Sequence, residues 1–387
     1  MKMKRILILS AGYGEGHNSA ARALKAAFCE HPGVDVRLLD IFAEVAPRMD
    51  LASRRIYLGM INRAPWLWKA FYGWLDRSVL AEHLLGSLVP HRHALARHLR
   101  EFGPDAVCST YPIYGWLLDR IRREGRPVPP VYTIVTDALT INSLWHRVPS
   151  NRWFVTDAGS AAVMARAGVP SDRLAVSGFP VALDFADRGL ELQPPDLRTG
   201  APQRILYMIN SGNASVLETA RFLMSRPGRH VTITAGRNDA LRARLETMAR
   251  GAPASVEVMG WTKRVPELLM THHMVVSKAG GATTQESINA LCPMIVNQIV
   301  PGQEEGNWEL LHRNGAGVRA ESPEAIAQAI DEAFAHDGGL LLRWRQALQM
   351  LAKPAAARTI AQQILGDVTV SMGPSSARSD ETAKRPG

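Results

Sequence analysis

Apolar residues in this chain recur as short, nearly continuous runs separated by stretches with helical spacing. Ile6-Leu7-Ile8-Leu9 is the first such run, and it breaks at once into Gly12-Tyr13-Gly14-Glu15-Gly16-His17. A short apolar run closed by glycine is what a strand buried on both faces requires. Residues 5–10 are therefore predicted as a strand, and 20–28 as an alanine-rich helix packing on it. The same pattern gives strands at 34–39, 106–110, 131–136, 152–155 and 176–178. Residues 191–203, with Pro194, Pro195, Gly200 and Pro202, interrupt the alternation, which restarts with strands at 204–209, 231–235, 256–259, 274–277 and 294–296. Strands alternating with helices specify parallel sheets. The expected fold class is α/β: two Rossmann-like, doubly wound parallel-sheet domains facing a cleft. Their expected bounds are 1–190 for the first, 191–203 for a linker and 204–368 for the second. Residues 369–387 form a small, polar, charged tail expected to be disordered.

A second glycine-rich segment matches the first. Ser277-Lys278-Ala279-Gly280-Gly281-Ala282-Thr283-Thr284-Gln285-Glu286 follows a predicted strand, and Pro301-Gly302-Gln303-Glu304-Glu305-Gly306-Asn307 comes soon after. Each glycine run leaves a strand and opens a helix, an arrangement that points backbone N–H groups at an anion. Gly12, Gly14 and Gly16 thus form a candidate phosphate or acceptor loop at one end of the chain, with Gly280 and Gly281 at the other.

Composition narrows the partners. The net charge of +9 leans toward phosphate esters, nucleic acid or an acidic membrane, although such basicity also serves solubility. Three widely spaced cysteines (Cys29, Cys108, Cys292) imply no disulfide framework. No Cys/His spacing suits zinc, and His91/His93 and His272/His273 read as surface or packing residues, so no metal site is expected. The N-terminal apolar run is too short for a signal peptide, and no stretch nears the ~20 residues that span a bilayer. The expectation is a cytoplasmic protein that associates peripherally with a membrane. Its candidate contact lies within 41–90, where Tyr57, Trp66, Trp68, Phe71, Tyr72 and Trp74 interleave with Arg54, Arg55, Arg63, Lys69 and Arg77. Indole and phenol rings favour the headgroup layer, and basic neighbours are drawn to anionic lipid. An ordinary amphipathic helix pair packed on the sheet is the competing reading. No basic recognition motif appears, so nucleic acid is not an expected partner.

Four segments in this order resemble the glycosyltransferases of the monogalactosyldiacylglycerol synthase and diacylglycerol glucosyltransferase group, relatives of MurG. They are Gly12–His17 with Ala20-Ala21, Thr136-Asp137 with Trp145, Gly178–Val181, and Lys278–Glu286 with Pro301–Asn307. The resemblance implies a GT-B fold whose first lobe holds a lipid acceptor and whose second lobe holds a UDP-sugar. It implies transfer of galactose or glucose from UDP-hexose to diacylglycerol or a related lipid, with inversion, no cofactor and no essential metal. A polyprenyl-linked or other amphiphilic acceptor keeps the same fold. A non-catalytic binder of nucleotide sugars or anionic lipids is the reading from another class.

Inverting transfer needs a base for the acceptor hydroxyl and donors for the departing diphosphate. His17 is the candidate base, since a helix N-terminus favours neutral imidazole; a capping or phosphate-contacting histidine is the alternative. Asp137, at the end of the 131–136 strand, is the second candidate: it orients His17, acts itself, or caps a turn. Gly280, Gly281 and Thr283, with Lys278 beside them, are placed before a helix at 284–291 to meet the diphosphate. By the family pattern Glu286 accepts the ribose hydroxyls, and Gln303, Glu304 and Asn307 bind the sugar. Glu305 faces either sugar or solvent. Gly260 and Trp261 match the segment that reads uracil, with Trp261 flanking the base or packing beneath it. The chain departs from the family at Asn210-Ser211-Gly212-Asn213-Ala214-Ser215, where a single glycine replaces a denser run.

Overall fold

The computed structural model describes residues 3–48, 56, 59–60, 66–67, 88–209, 215–302 and 304–371. The first sheet comprises β1 (Lys4–Leu9), β2 (Val34–Leu39), β3 (Ala106–Ser109), β4 (Val131–Ile134), β5 (Arg152–Val155) and β6 (Leu174–Val176), in the order β2-β1-β3-β4-β5-β6. The second comprises β7 (Gln203–Met208), β8 (Arg229–Thr234), β9 (Ser255–Met259), β10 (Met274–Lys278), β11 (Met294–Gln298) and β12 (Gly317–Arg319), ordered β12-β11-β10-β7-β8-β9. Every pairing among these strands is parallel.

Parallel sheets covered on both faces explain the unbroken apolar runs. In β1, Ile6 and Ile8 join Ala21, Leu24 and Phe28 on one face, while Leu7 and Leu9 join Leu95, Phe102 and Leu118 on the other. β7 repeats the division, with Ile205 and Tyr207 on one side and Leu206 and Met208 on the other. In each sheet the strand order reverses once, between β1 and β3 in the first and between β7 and β10 in the second. Loops at the carboxyl ends of strands diverge at such a point and leave a crevice for ligand. The first glycine loop leaves β1, and the second leaves β10.

Several boundaries differ from the sequence reading. The helix after β1 is Glu15–Cys29, starting five residues early because Gly14, at φ 101°, turns the chain straight into it. The helix after β10 is Gly281–Asn289, so Gly281 and Thr283 sit inside its first turn rather than before it. β6 lies two residues earlier than expected, and three-residue β12 carries too little apolar pattern to register as a run.

The C-terminal helix Ala356–Ser371 corrects the expected domain bounds. Its Ala357, Ile360, Ala361, Ile364 and Val368 pack with Ile6, Ile8 and Phe28, so residues assigned to the second domain complete the core of the first. The return crossing is held at Lys353, whose N–H donates to Asn289 Oδ1 (2.7 Å) and whose Nζ donates to the Val176 carbonyl (2.9 Å). Gly178, at φ 90°, lies so close that a Cβ there would come within 2.7 Å of Lys353 Cβ. That contact explains a glycine in the Gly178–Val181 segment. The linker is anchored too, since His273 Nε2 donates to the Pro195 carbonyl (2.9 Å). Residues 372–387 of the expected tail lie outside the described residues.

Candidate active site

His17 occupies the first turn of helix Glu15–Cys29 at the first sheet's point of reversal, with its side chain buried. Its Nδ1 lies 2.7 Å from the carbonyl oxygen of Thr110, just beyond β3, and 2.9 Å from Thr136 Oγ1, beyond β4. A carbonyl only accepts, so Nδ1 carries the proton in the neutral ring and Nε2 keeps its lone pair. Burial pushes the pKa down from 6.5 to about 4, against the opposing effect of the Thr110 hydrogen bond. The neutral form expected from the sequence is present, but desolvation is its main cause rather than the helix dipole. Tyr111 stands edge-on to the ring (centroids 5.0 Å, 74°) and is stacked on Tyr13 (5.8 Å, 12°). Phe42 meets both tyrosines edge-on, completing an aromatic wall beside His17.

Asp137 does not hydrogen-bond His17. Its Oδ2 accepts the Trp145 indole N–H at 2.7 Å, and burial raises its pKa to about 6 in spite of that bond. The orienting role offered for Asp137 is filled by Thr110 and Thr136. The first loop is tied down by the Gly12 N–H, which donates to Asp40 Oδ2 (3.1 Å) at the end of β2.

Across the cleft, helix Gly281–Asn289 begins at Gly280 with no side-chain cap, leaving its first N–H groups for a ligand. The two glycine segments approach each other. A Cβ on Gly16 would stand 3.8 Å from the Ala282 nitrogen, and one on Gly281 would stand 3.5 Å from the Thr136 carbonyl oxygen. The carboxylate of Glu286, in the second turn, has no hydrogen-bond partner among the described residues. Burial raises its pKa from 4.5 to about 7, with Arg22 of the opposite lobe pulling it down and Glu15 pushing it up. An unpartnered, partly desolvated carboxylate suits a ligand with hydroxyl donors.

Other residues expected at the sugar are already engaged. The Glu304 carboxylate pairs with Lys278 Nζ and accepts the Val300 N–H (3.0 Å), and Asn307 Nδ2 donates to the Ala279 carbonyl (2.9 Å). These bonds brace the loops after β10 and β11. Glu305 opens helix Glu305–Arg313, and Gln303 lies outside the described residues. Gly260 and Trp261 follow β9, where Trp261 is 56% exposed with the Arg237 guanidinium 5.6 Å over its ring. It is a surface platform rather than packing. The departing 210–214 loop lies outside the described residues, as do Tyr57, Trp68 and Trp74; Trp66 is described and 72% exposed. No helix among the described residues is long and apolar enough to cross a membrane. His272 and His273 are buried and hydrogen-bonded, the packing role read from the sequence.

Sequence reasoning missed Thr110 and the Tyr13–Tyr111 stack. Their one signal was position, since residues just beyond β1 and β3 flank the crevice.

Comparison with known proteins agrees with this fold. The family model described as monogalactosyldiacylglycerol (MGDG) synthase matches residues 17–181. The chain is 27% identical over 376 residues to a processive diacylglycerol beta-glucosyltransferase of Bacillus cereus (strain AH820), covering 95% of each. Acinetobacter baumannii MurG shares the fold at TM-score 0.60 and 15% identity, covering 94% of this chain and 99% of that one. UDP-GlcNAc 2-epimerase from Neisseria meningitidis, bound to UDP-GlcNAc, does so at 0.59 and 13%, covering 94% and 100%. Fold and relatives together define a GT-B glycosyltransferase. The chain is similar to the monogalactosyldiacylglycerol synthase and diacylglycerol glucosyltransferase group.

Proposed function

We propose that the protein transfers a hexose from UDP-hexose to diacylglycerol or a related lipid at a membrane surface, with inversion and without a metal. The observation that carries this reading is His17, whose Nδ1 is committed to the Thr110 carbonyl and whose Nε2 is therefore a base. The acceptor hydroxyl gives its proton to Nε2 while its oxygen attacks the anomeric carbon from the face opposite UDP. The bond from that carbon to the diphosphate oxygen breaks, and UDP leaves with the electron pair. Free N–H groups of helix Gly281–Asn289 meet the charge that develops there. A base with a pKa near 4 is weak, but two donor phosphates close to it favour the imidazolium and raise that value in the complex. Glu286 accepts the ribose hydroxyls and Trp261 offers its exposed face to uracil. The aromatic wall of Tyr13, Phe42 and Tyr111 guides the glycerol end of the lipid, and the 54–77 stretch docks on anionic membrane.

The test is transfer from labelled UDP-glucose and UDP-galactose in parallel, onto diacylglycerol in vesicles with and without anionic lipid. A labelled glycolipid from either donor, undiminished by chelator, supports the reading. Absence of product from both, with UDP bound, contradicts it.

A further inference from the structure

Residues 136–140 bridge His17 of the first lobe and Gly281 and Gly306 of the second. Thr136 Oγ1 accepts from His17 Nδ1, sharing its N–H with the Thr110 carbonyl, and the Thr136 carbonyl faces Gly281. Asp137 holds the Trp145 indole. The chain then makes a tight turn in which the Thr140 N–H donates to the Ala138 carbonyl at 2.6 Å. Leu139 at its centre has φ 53°, a conformation that a branched side chain adopts rarely and only when its surroundings impose it. Two of those surroundings are visible. The Leu139 N–H donates to Ser160 Oγ (3.0 Å), and its side chain packs against a core cluster that includes Val296 and Leu310 of the second lobe.

One close contact seats the turn on the second lobe. The Gly306 N–H, an otherwise orphaned donor in the first turn of helix Glu305–Arg313, donates to Thr140 Oγ1 at 3.0 Å. Its Cα lies so near the turn that a Cβ would stand 1.9 Å from the Ala138 carbonyl oxygen and 2.5 Å from Thr140 Oγ1. Glycine is therefore required at 306 by close approach of the other lobe. Gly306 also lies between Glu304 and Asn307, which brace the loops after β10 and β11.

We propose that the Thr140–Gly306 contact is a latch between the lobes, and that Thr140 is a positioning residue which, with the lobes closed, sets the Thr136 side of the same turn against His17. The proposal rests on the reading of the cleft as a transferase site and deepens it. With the latch made, the strained turn holds Thr136 Oγ1 against the imidazole. With it broken, the turn relaxes and the base loses one of its two Nδ1 partners, while the donor half of the site is unaltered. Closure and alignment of the base are then one event.

The amide of Gly306 reports the latch directly, because its partner is the Thr140 hydroxyl. Residue-resolved hydrogen exchange would be measured on the full chain with UDP, for wild type, Thr140→Val and Thr140→Ser. Protection at Gly306 is expected in wild type and Thr140→Ser, and its loss in Thr140→Val with an unchanged melting temperature. An unprotected amide in wild type, or equal protection in Thr140→Val, overturns the latch whether or not sugar transfer is found. In the transfer assay, loss of one such hydrogen bond is expected to lower kcat by up to about fivefold in Thr140→Val, with donor KM changed less than about twofold and Thr140→Ser near wild type. Gly306→Ala, which cannot close in this geometry, is expected to bind UDP and lose turnover. Turnover retained in both Thr140→Val and Gly306→Ala, or lost equally in the valine and serine variants, overturns the positioning role.

Discussion

The carbonyl oxygen of Thr110 lies 2.7 Å from Nδ1 of His17, fixing which ring nitrogen carries the proton. A backbone acceptor cannot be removed by side-chain substitution, so the tautomer is built into the end of β3. What substitution can remove is the second partner. Thr136→Val keeps the shape and deletes the hydroxyl 2.9 Å from the same nitrogen. A net hydrogen bond of about 1 kcal/mol predicts kcat lower by roughly fivefold, with UDP affinity unchanged. Steady-state kinetics beside a UDP titration checks this.

Glu286 gives the donor site a pH signature. Burial lifts its pKa to about 7, so the carboxylate is largely protonated at pH 6 and ionised at pH 8. Ionised, it accepts hydroxyl donors at both oxygens. UDP-hexose, whose phosphates are fully ionised throughout, is expected to bind more tightly as pH rises from 6 to 8. Glu286→Gln is expected to bind more weakly and show a flat profile by calorimetry.

A buried histidine group makes the second lobe sensitive to acid. His272 Nδ1 donates to the Leu268 carbonyl (2.7 Å), and its Nε2 accepts from Thr232 Oγ1 (2.9 Å). Burial lowers its pKa from 6.5 to about 4, and burial also lowers those of His230 and His273. The folded value is depressed, so the unfolded chain takes up protons first. Stability is full above pH 6.5 and falls as pH drops from there toward 4. Such a shift at His272 alone is worth on the order of 3 kcal/mol. Melting temperatures between pH 8 and pH 4 should fall steeply in wild type and less steeply in His272→Gln, which begins less stable.

Trp66, 72% exposed, is the one aromatic of the proposed membrane-contact set Tyr57, Trp66, Trp68 and Trp74 that lies among the described residues. Trp66→Ala is expected to weaken partitioning onto anionic vesicles about threefold or more, with melting unaltered, since the ring contributes no core. Co-sedimentation at graded lipid concentrations measures it, and unchanged partitioning removes this tryptophan from the interface.

Much of this architecture was legible in the sequence because parallel strands buried on both faces leave apolar runs that nothing else explains. Ile6–Leu9 and Ile205–Met208 lie within β1 and β7 as read. The glycine segments were legible because a strand-to-helix turn at the cleft demands them. Two kinds of feature were hidden. Helix Ala356–Ser371 carries an ordinary apolar stripe, and a stripe does not say which lobe it covers. Nor does a threonine at a strand end announce that its carbonyl will choose the tautomer of a histidine 93 positions earlier. Glu304 and Asn307 show the reverse limit, since the family pattern assigns those side chains to the sugar while the structure engages them with Lys278 and Ala279.

The most direct test of the central claim is His17→Ala, assayed for glycolipid formation and for UDP-hexose affinity in the same preparation. A positioned base contributes roughly 10² to 10⁴ in rate, so turnover should fall by about that factor with affinity within about threefold of wild type. Turnover retained, or affinity lost in step with it, would contradict His17 as the base and make it a phosphate ligand instead.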